Sequence, residues 1–112
     1  MPWDVETTDE YDAWFLRQSA DGQAAVRMKV ELLKRYGPHL TRSHADTLKG
    51  SKLSNLKELR AYSASSEFRV AFVFDRERDA VLLIGGDKKG RDEKLFYRNL
   101  IKQAEEIYQR YQ

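Results

Sequence analysis

The sequence has no cysteine, only two histidines and two prolines, and no long apolar run. Without cysteine there are no disulfides, no thiolate metal ligands and no cysteine nucleophile. No segment approaches the roughly 18 consecutive apolar residues of a membrane-spanning helix. The first ten residues, MPWDVETTDE, are acidic where a secretory signal is basic and then apolar. We therefore expect a soluble, cytoplasmic protein without a membrane partner.

Charge of the two signs is nearly balanced, with 20 basic and 18 acidic side chains, so the net charge of +2 does not indicate a polyanionic partner. The distribution along the chain is uneven. Residues 1–12 carry acids and no base, whereas residues 42–60 carry five bases and two acids, Asp46 and Glu58. An anion is therefore expected to bind near the middle of the chain.

A length of 112 residues with 41% hydrophobic side chains suits one domain spanning residues 1–112. The apolar spacing predicts an α+β fold in the order β-α-α-β-β-β-α, and the short polar connections favour an antiparallel meander. Thr7 and Glu10 have the spacing of a capping box, and Gly37-Pro38 ends the second helix. The predicted helices cover residues 9–18, 24–36 and 92–112, and the predicted strands cover 3–7, 56–62, 68–74 and 80–84, with a further short strand at 47–49.

The segment FRVAFVF at residues 68–74 alternates in the manner of a half-buried strand. Arg69 lies on the face opposite the phenylalanines, where its permanent charge requires water, a carboxylate such as Glu58, or an anionic ligand. Arg60 lies on the preceding strand. If the two strands pair, the two guanidinium groups come together and repel each other unless they share an anion.

The segment LLIGGDKKGRDEKLFY, residues 82–97, changes from an apolar strand to a charged stretch within five residues. Gly85 and Gly86 are predicted to let the backbone leave the sheet, which places Asp87, Lys88 and Lys89 at its end. A solvated surface loop is the simpler interpretation. However, three successive strands would then each bring cations to one region, which favours a phosphate site formed by Lys57, Arg60, Arg69, Lys88 and Lys89.

Five pieces of the chain occur in an order typical of one protein family. They are LKG at 48–50, KELR at 57–60, FRV at 68–70, LLIGGDKK at 82–89 and the helix that runs from FY at 96–97 to residue 104. The ordered set resembles the RelE/ParE superfamily of toxins from type II toxin–antitoxin systems, in particular its HigB-like branch, which includes phage-derived Gp49-like proteins. The resemblance covers a little over half of the chain.

The resemblance implies a curved antiparallel sheet packed against helices, and an enzyme that cuts messenger RNA on the ribosome. It also implies a helix-turn-helix, HigA-like antitoxin as partner. Cutting RNA without a metal or cofactor requires activation of the ribose 2′-hydroxyl, stabilisation of the phosphorane charge and protonation of the leaving oxygen. We assign catalytic roles to Arg69, Lys88, Lys89 and Tyr97, and RNA binding to Lys57, Arg60 and Arg91.

Each of these assignments has an alternative. Tyr97 aligns with a tyrosine of some relatives, yet it also suits core packing at the start of the last helix. Glu58 departs from the basic residue that relatives often carry, so it is either a general base or a sign of weak catalysis. His39 and His44 are expected to be solvated. A ParE-like DNA gyrase inhibitor without nuclease activity, or an inactive member that only binds antitoxin, are the alternative functions.

Overall fold

The computed structural model describes residues 2–75, 77 and 79–111. Arg76 and Arg78, in the predicted connection 75–79, and Gln112, at the end of the predicted last helix, lie outside the described residues. The predicted α+β class is confirmed. The elements are β1 (Val5–Thr7), α1 (Asp9–Leu16), α2 (Ala20–Tyr36), a 3-10 turn (Gly37–His39), β2 (Ala45–Thr47), β3 (Lys57–Tyr62), β4 (Glu67–Phe74), β5 (Ala80–Asp87) and α3 (Glu93–Tyr111).

The five strands form one sheet in the order β1-β5-β4-β3-β2. Strands β2 to β5 pair antiparallel, each with the next, which confirms the predicted meander. The short strand predicted at 47–49 is β2, which lies two residues earlier. Strand β1 adds a parallel pairing with β5, so the first and last strands of the chain are neighbours in the sheet. Both outer strands have three residues.

The sheet is covered by helices on both faces. Helices α1 and α2 bury one face, which includes Val70, Phe72 and Leu82. Helix α3 buries the other face, which includes Ala71 and Leu83. The interpretation of residues 68–74 as half-buried was therefore wrong, because α3 covers the face that carries Arg69. Among the described residues, no helix combines the length and apolar content that a membrane crossing requires.

Helix α1 begins at Asp9, as predicted, but its capping residue lies one position later than the capping-box spacing predicted. The hydroxyl of Thr8, not that of Thr7, accepts a hydrogen bond from the backbone N–H of Tyr11 at 3.0 Å. The same hydroxyl donates to the carbonyl of Leu83 at 2.7 Å, so one side chain caps the helix and ties it to β5. Ser19 caps α2, which extends this helix four residues toward the N-terminus relative to the prediction.

The prediction that Gly85 and Gly86 let the backbone leave the sheet was wrong. Strand β5 continues through both and ends at Asp87. The glycines are instead required by close packing on each face of the strand. A Cβ at Gly85 would lie 2.5 Å from the ring of Trp14 on α1, and a Cβ at Gly86 would lie 3.0 Å from the ring of Phe96 on α3. These glycines let the two helices approach the sheet.

Candidate active site

A groove of about 800 Å³ runs between α3 and the β2–β3 side of the sheet, and we call it the α3 groove. It is lined by charged side chains of both signs and by the apolar side chains of Leu48 and Ile101. The cationic residues that line it are Arg42, Lys49, Arg60, Lys94, Arg98 and Lys102, and the acidic ones are Asp46, Glu58, Glu93 and Glu105.

Arg60 and Arg69 face each other across strands β3 and β4, as the sequence predicted. The buried carboxylate of Glu58 lies between them. Its Oε2 accepts hydrogen bonds from Arg60 Nε at 3.1 Å and from Nη2 at 3.0 Å. Its Oε1 lies 3.4 Å from Arg69 Nε. Glu58 is thus the shared anion that keeps two neighbouring guanidinium groups together.

Tyr97, in the second turn of α3, joins this cluster from the helix side. Its hydroxyl donates to Glu58 Oε1 at 2.8 Å and accepts from Arg69 Nε at 3.1 Å. Burial and the neighbouring Glu58 carboxylate raise the pKa of Tyr97 to about 12, although Arg69 acts in the opposite direction. Tyr97 therefore keeps its proton near neutral pH and is a hydrogen-bond donor there.

Arg69 is almost sealed from solvent, with 4% of its surface exposed. Its Nη1 donates to the carbonyl of Phe68 at 3.0 Å, and its guanidinium lies 5.3 Å from the ring centroid of Tyr62. Burial alone would lower the pKa of Arg69, but Tyr97, Tyr62 and Glu58 together raise it above its usual value. Arg60 is more accessible, since a quarter of its side chain is exposed. An anion that enters the groove would therefore contact Arg60 before Arg69.

Lys88 lies beside Tyr97 at the end of β5. Its ammonium group donates to Glu93 at 2.8 Å and lies 6.0 Å from the ring centroid of Tyr97. The hydrogen bond from Lys88 lowers the pKa of Glu93. Asp87 shapes the turn that follows, because its Oδ1 accepts from the backbone N–H groups of Glu67 and Lys89, each at 3.0 Å. Lys88 is thereby held next to the cluster.

The structure brings together Arg60, Arg69, Lys88 and Tyr97, but it does not bring the other three predicted residues to them. Lys57 projects to the opposite face of the sheet from Glu58, and its ammonium lies 3.3 Å from Thr47 Oγ1. The ammonium of Lys89 approaches the carbonyl of Ala64 at 3.5 Å.

Arg91 lies in the β5–α3 loop and lines a separate small cavity that does not include any residue of the cluster. The two histidines are also remote. His44 Nδ1 lies 2.7 Å from Lys29 Nζ, and His39 is exposed at the end of the 3-10 turn. The predicted RNA-binding role of Arg91 therefore finds no support from proximity to the cluster.

The sequence interpretation did not include Lys94, Arg98 and Lys102, which project from α3 into the groove. Their spacing of four residues places them on one helical face, and this signal was available in the sequence. It also missed Tyr62, which lies against Arg69. No sequence pattern distinguishes Tyr62 from an ordinary exposed tyrosine at a strand end.

One carboxylate cluster in the described part of the chain has the spacing of metal ligands. It consists of Glu6, Asp75 and Asp79, at the β1–β5 side of the sheet. The α3 groove lies at the β2–β3 side, so this cluster is remote from the candidate active site. It consists of acidic side chains near one another, and nothing else marks it as a cation site.

Comparison with known proteins shows which family and which relatives this chain is similar to. The family model described as phage-derived protein Gp49-like matches residues 13–109. HigB3 of Mycobacterium tuberculosis, which bears the name of a toxin, is 38% identical over 91 residues, covering 81% of this chain and 78% of its own length. HigB2 of the same organism, also named as a toxin, is 36% identical over 101 residues, which is 89% of this chain but half of HigB2.

Two solved structures share the fold. The RelBE2 toxin–antitoxin complex of M. tuberculosis has a chain that superposes with a TM-score of 0.57 at 18% identity, covering 78% of this chain and 99% of that one. A substituted form of Escherichia coli toxin RelE in the free state superposes with a TM-score of 0.64 at 10% identity, covering 92% and 97%. The family match over most of the chain, with the HigB relatives, shows that this chain belongs to the phage-derived Gp49-like, HigB-type family, and its fold is that of RelE.

Proposed function

We propose that this protein is the toxin of a type II toxin–antitoxin pair and that it cuts messenger RNA on the ribosome without a metal ion. A helix-turn-helix antitoxin would neutralise it in the cytoplasm. The observation that carries the proposal is the cluster in which Arg60, Arg69 and Tyr97 contact Glu58, with Lys88 beside the Tyr97 ring, next to an open groove. Family membership supports the assignment as a toxin.

The cluster offers the three groups that metal-free cleavage requires. The 2′-oxygen attacks phosphorus, the bond from phosphorus to the 5′-oxygen breaks, and the products are a 2′,3′-cyclic phosphate and a 5′-hydroxyl. Glu58 is the group that accepts the 2′-proton, once Arg60 turns from Glu58 to the phosphate. Tyr97 is protonated at neutral pH and donates its proton to the leaving 5′-oxygen. Lys88 binds a non-bridging phosphate oxygen.

The arginines have different roles in this proposal. Arg60 is partly exposed, so it can bind a phosphate with its guanidinium fork. Arg69 is buried beneath Tyr62 and Tyr97, and its contact with the phosphate, as the sequence predicted, would require one of these rings to move. We therefore assign Arg69 as a positioning residue that orients the Tyr97 hydroxyl and the Glu58 carboxylate.

The test compares Tyr97→Phe with Tyr108→Phe, a matched control on the same helix whose hydroxyl has no hydrogen-bond partner within the described residues. Both variants keep their rings, so both should fold. Cleavage of a message bound to purified ribosomes should fall by about 100-fold or more for Tyr97→Phe, because general acid catalysis contributes about 10²–10⁴-fold. Tyr108→Phe should cleave normally and should arrest growth when induced.

If Tyr97→Phe cleaved the message at the wild-type rate, the role of Tyr97 as the general acid would be refuted. Mapping transcript 5′ ends after a brief induction of the wild type tests the reaction itself. Arrest without new 5′ ends, accompanied by inhibition of gyrase supercoiling, would support the ParE-like alternative. The pairing of both arginines with the single carboxylate of Glu58 favours a different alternative, an inactive member that only binds antitoxin. This alternative predicts no growth arrest and no cleavage by the wild type.

A further inference from the structure

The carboxylates of the α3 groove are all engaged by other groups of the protein. Asp46 accepts from Arg42 at 2.9 Å, and Glu93 accepts from Lys88 at 2.8 Å. Glu105 accepts from Ser51 Oγ and from the backbone N–H of Lys52. Glu58 is held by Arg60, Arg69 and Tyr97, as described above. Hydrogen bonds from the protein therefore compensate each carboxylate of the groove, and three of the four, Asp46, Glu58 and Glu93, also contact a cation.

Four cations of the same groove have no such compensation. Within the described residues, Lys49, Lys94, Arg98 and Lys102 are exposed and have neither an ion-pair nor a hydrogen-bond partner for their side chains. The three on α3 are spaced four residues apart, so they form a row in which each step rises about 6 Å along the helix axis. Like charges at this spacing repel each other, so an extended anion that lies along the row would relieve the repulsion.

We propose that the row formed by Lys94, Arg98 and Lys102, with Lys49 on the opposite wall, binds the sugar–phosphate backbone of an RNA segment next to the cleaved linkage. This inference rests on the proposed function, because Tyr97 lies between Lys94 and Arg98 in the sequence and faces the same groove. If one phosphate of an RNA strand is bound at Arg60 and Tyr97, the neighbouring phosphates of that strand would lie along α3.

The chemistry of the groove favours RNA over a protein partner. Protein interfaces are centred on buried apolar or aromatic anchors, and lysine is depleted there. None of the large hydrophobic side chains that are exposed in the described structure lines the α3 groove. Exposed lysines and an arginine without carboxylate partners are instead typical of contacts to phosphates. The backbone of the message and that of ribosomal RNA share this chemistry.

The experiment removes the three helical charges together, as Lys94→Gln, Arg98→Gln and Lys102→Gln. The matched control removes three exposed cations from the α1 and α2 side, as Arg17→Gln, Arg27→Gln and Arg35→Gln. Both sets are placed on a Tyr97→Phe background so that RNA remains intact. Binding to a labelled, short single-stranded RNA and to small ribosomal subunits free of message is measured over a range of salt concentrations.

We measure the slope of the logarithm of the binding constant against the logarithm of the salt concentration. For the α3 variant we expect this slope to be smaller in magnitude by about two, since each of three lost phosphate contacts on a single strand contributes roughly 0.7. The control should keep the slope of the parent Tyr97→Phe protein. A change with the short RNA supports the inference, because that strand represents the message, whereas a change with the ribosomal subunit alone would overturn it in favour of ribosomal RNA. Equal slopes for the α3 variant and the control, or no binding of either probe, would overturn the inference. A wild-type protein that binds through the row but cuts no RNA would instead refute the proposed cleavage.

Discussion

Replacing Glu58 by alanine tests the central contact of the candidate active site. The substitution removes the carboxylate that pairs with Arg60 and Arg69 and that accepts the Tyr97 hydrogen bond. It therefore leaves the buried guanidinium of Arg69 without its counter-ion, while the partly exposed Arg60 recovers hydration. We expect Glu58→Ala to lower the free energy of unfolding, because an unpaired charge in the interior is more costly than a missing ion pair.

The size of the effect follows from the burial of the two partners. Removing one member of a buried pair typically costs about 3–5 kcal/mol. Because a quarter of the Arg60 side chain is exposed, its share of this cost is smaller, and we expect the lower end of the range, about 3 kcal/mol. With an m-value of about 1.5 kcal/mol per M, the urea midpoint should fall by roughly 2 M.

Equilibrium urea unfolding, followed by tryptophan fluorescence, measures this change. Glu58→Gln is the matched variant, because its amide oxygen still accepts from Tyr97 while the charge is lost, and we expect a smaller decrease. In an Arg69→Met background, Glu58→Ala should cost much less, since no buried charge is left unpaired. A decrease of less than about 0.5 kcal/mol for Glu58→Ala, or equal costs in the two backgrounds, would refute the assignment of Glu58 as the counter-ion of Arg69.

Two further predictions concern packing and pH. Gly85→Ala should destabilise the fold by about 1–3 kcal/mol, since its Cβ would lie 2.5 Å from the Trp14 ring, and Gly86→Ala should cost less; thermal melts compare the two. The hydrogen bond with Glu6 raises the pKa of Asp79 to about 6. The native state then binds more protons than the unfolded state between about pH 4 and 6, so this group's stabilisation is lost as the pH rises through that window. In Asp79→Asn, the decrease in the urea midpoint between about pH 4 and pH 7 should be smaller than in the wild type. An equal decrease in the two proteins would contradict this prediction.

The fold was largely predictable from local patterns, and the errors in the prediction have physical causes. The apolar period of α2 and the Gly37-Pro38 stop identified that helix, and the short connections identified the meander. Alternation in β4 shows which residues share a face, but it does not show what covers the second face. The parallel pairing of β1 with β5 joins residues that are distant in the sequence, and three residues carry too little pattern to specify it.

The candidate site was predictable where strand geometry alone decides it. Arg60 and Arg69 were expected to approach if β3 and β4 paired, and Glu58 was named as a possible counter-ion. Lys57 was grouped with them in error, because it is three residues from Arg60 on a strand and therefore faces the other way. The part played by Tyr97 depends on how α3 packs against the sheet, which no local pattern determines.

The short outer strands have a consequence for association. A long unpaired strand at the margin of a sheet is a template on which a second molecule can add its own strand. Here the margins are Val5–Thr7 and Ala45–Thr47, and each offers a ladder of at most a few hydrogen bonds. Oligomers and aggregates that grow by sheet extension are therefore disfavoured, and a protein that binds this molecule tightly would have to do so mainly through side chains on its helices and loops.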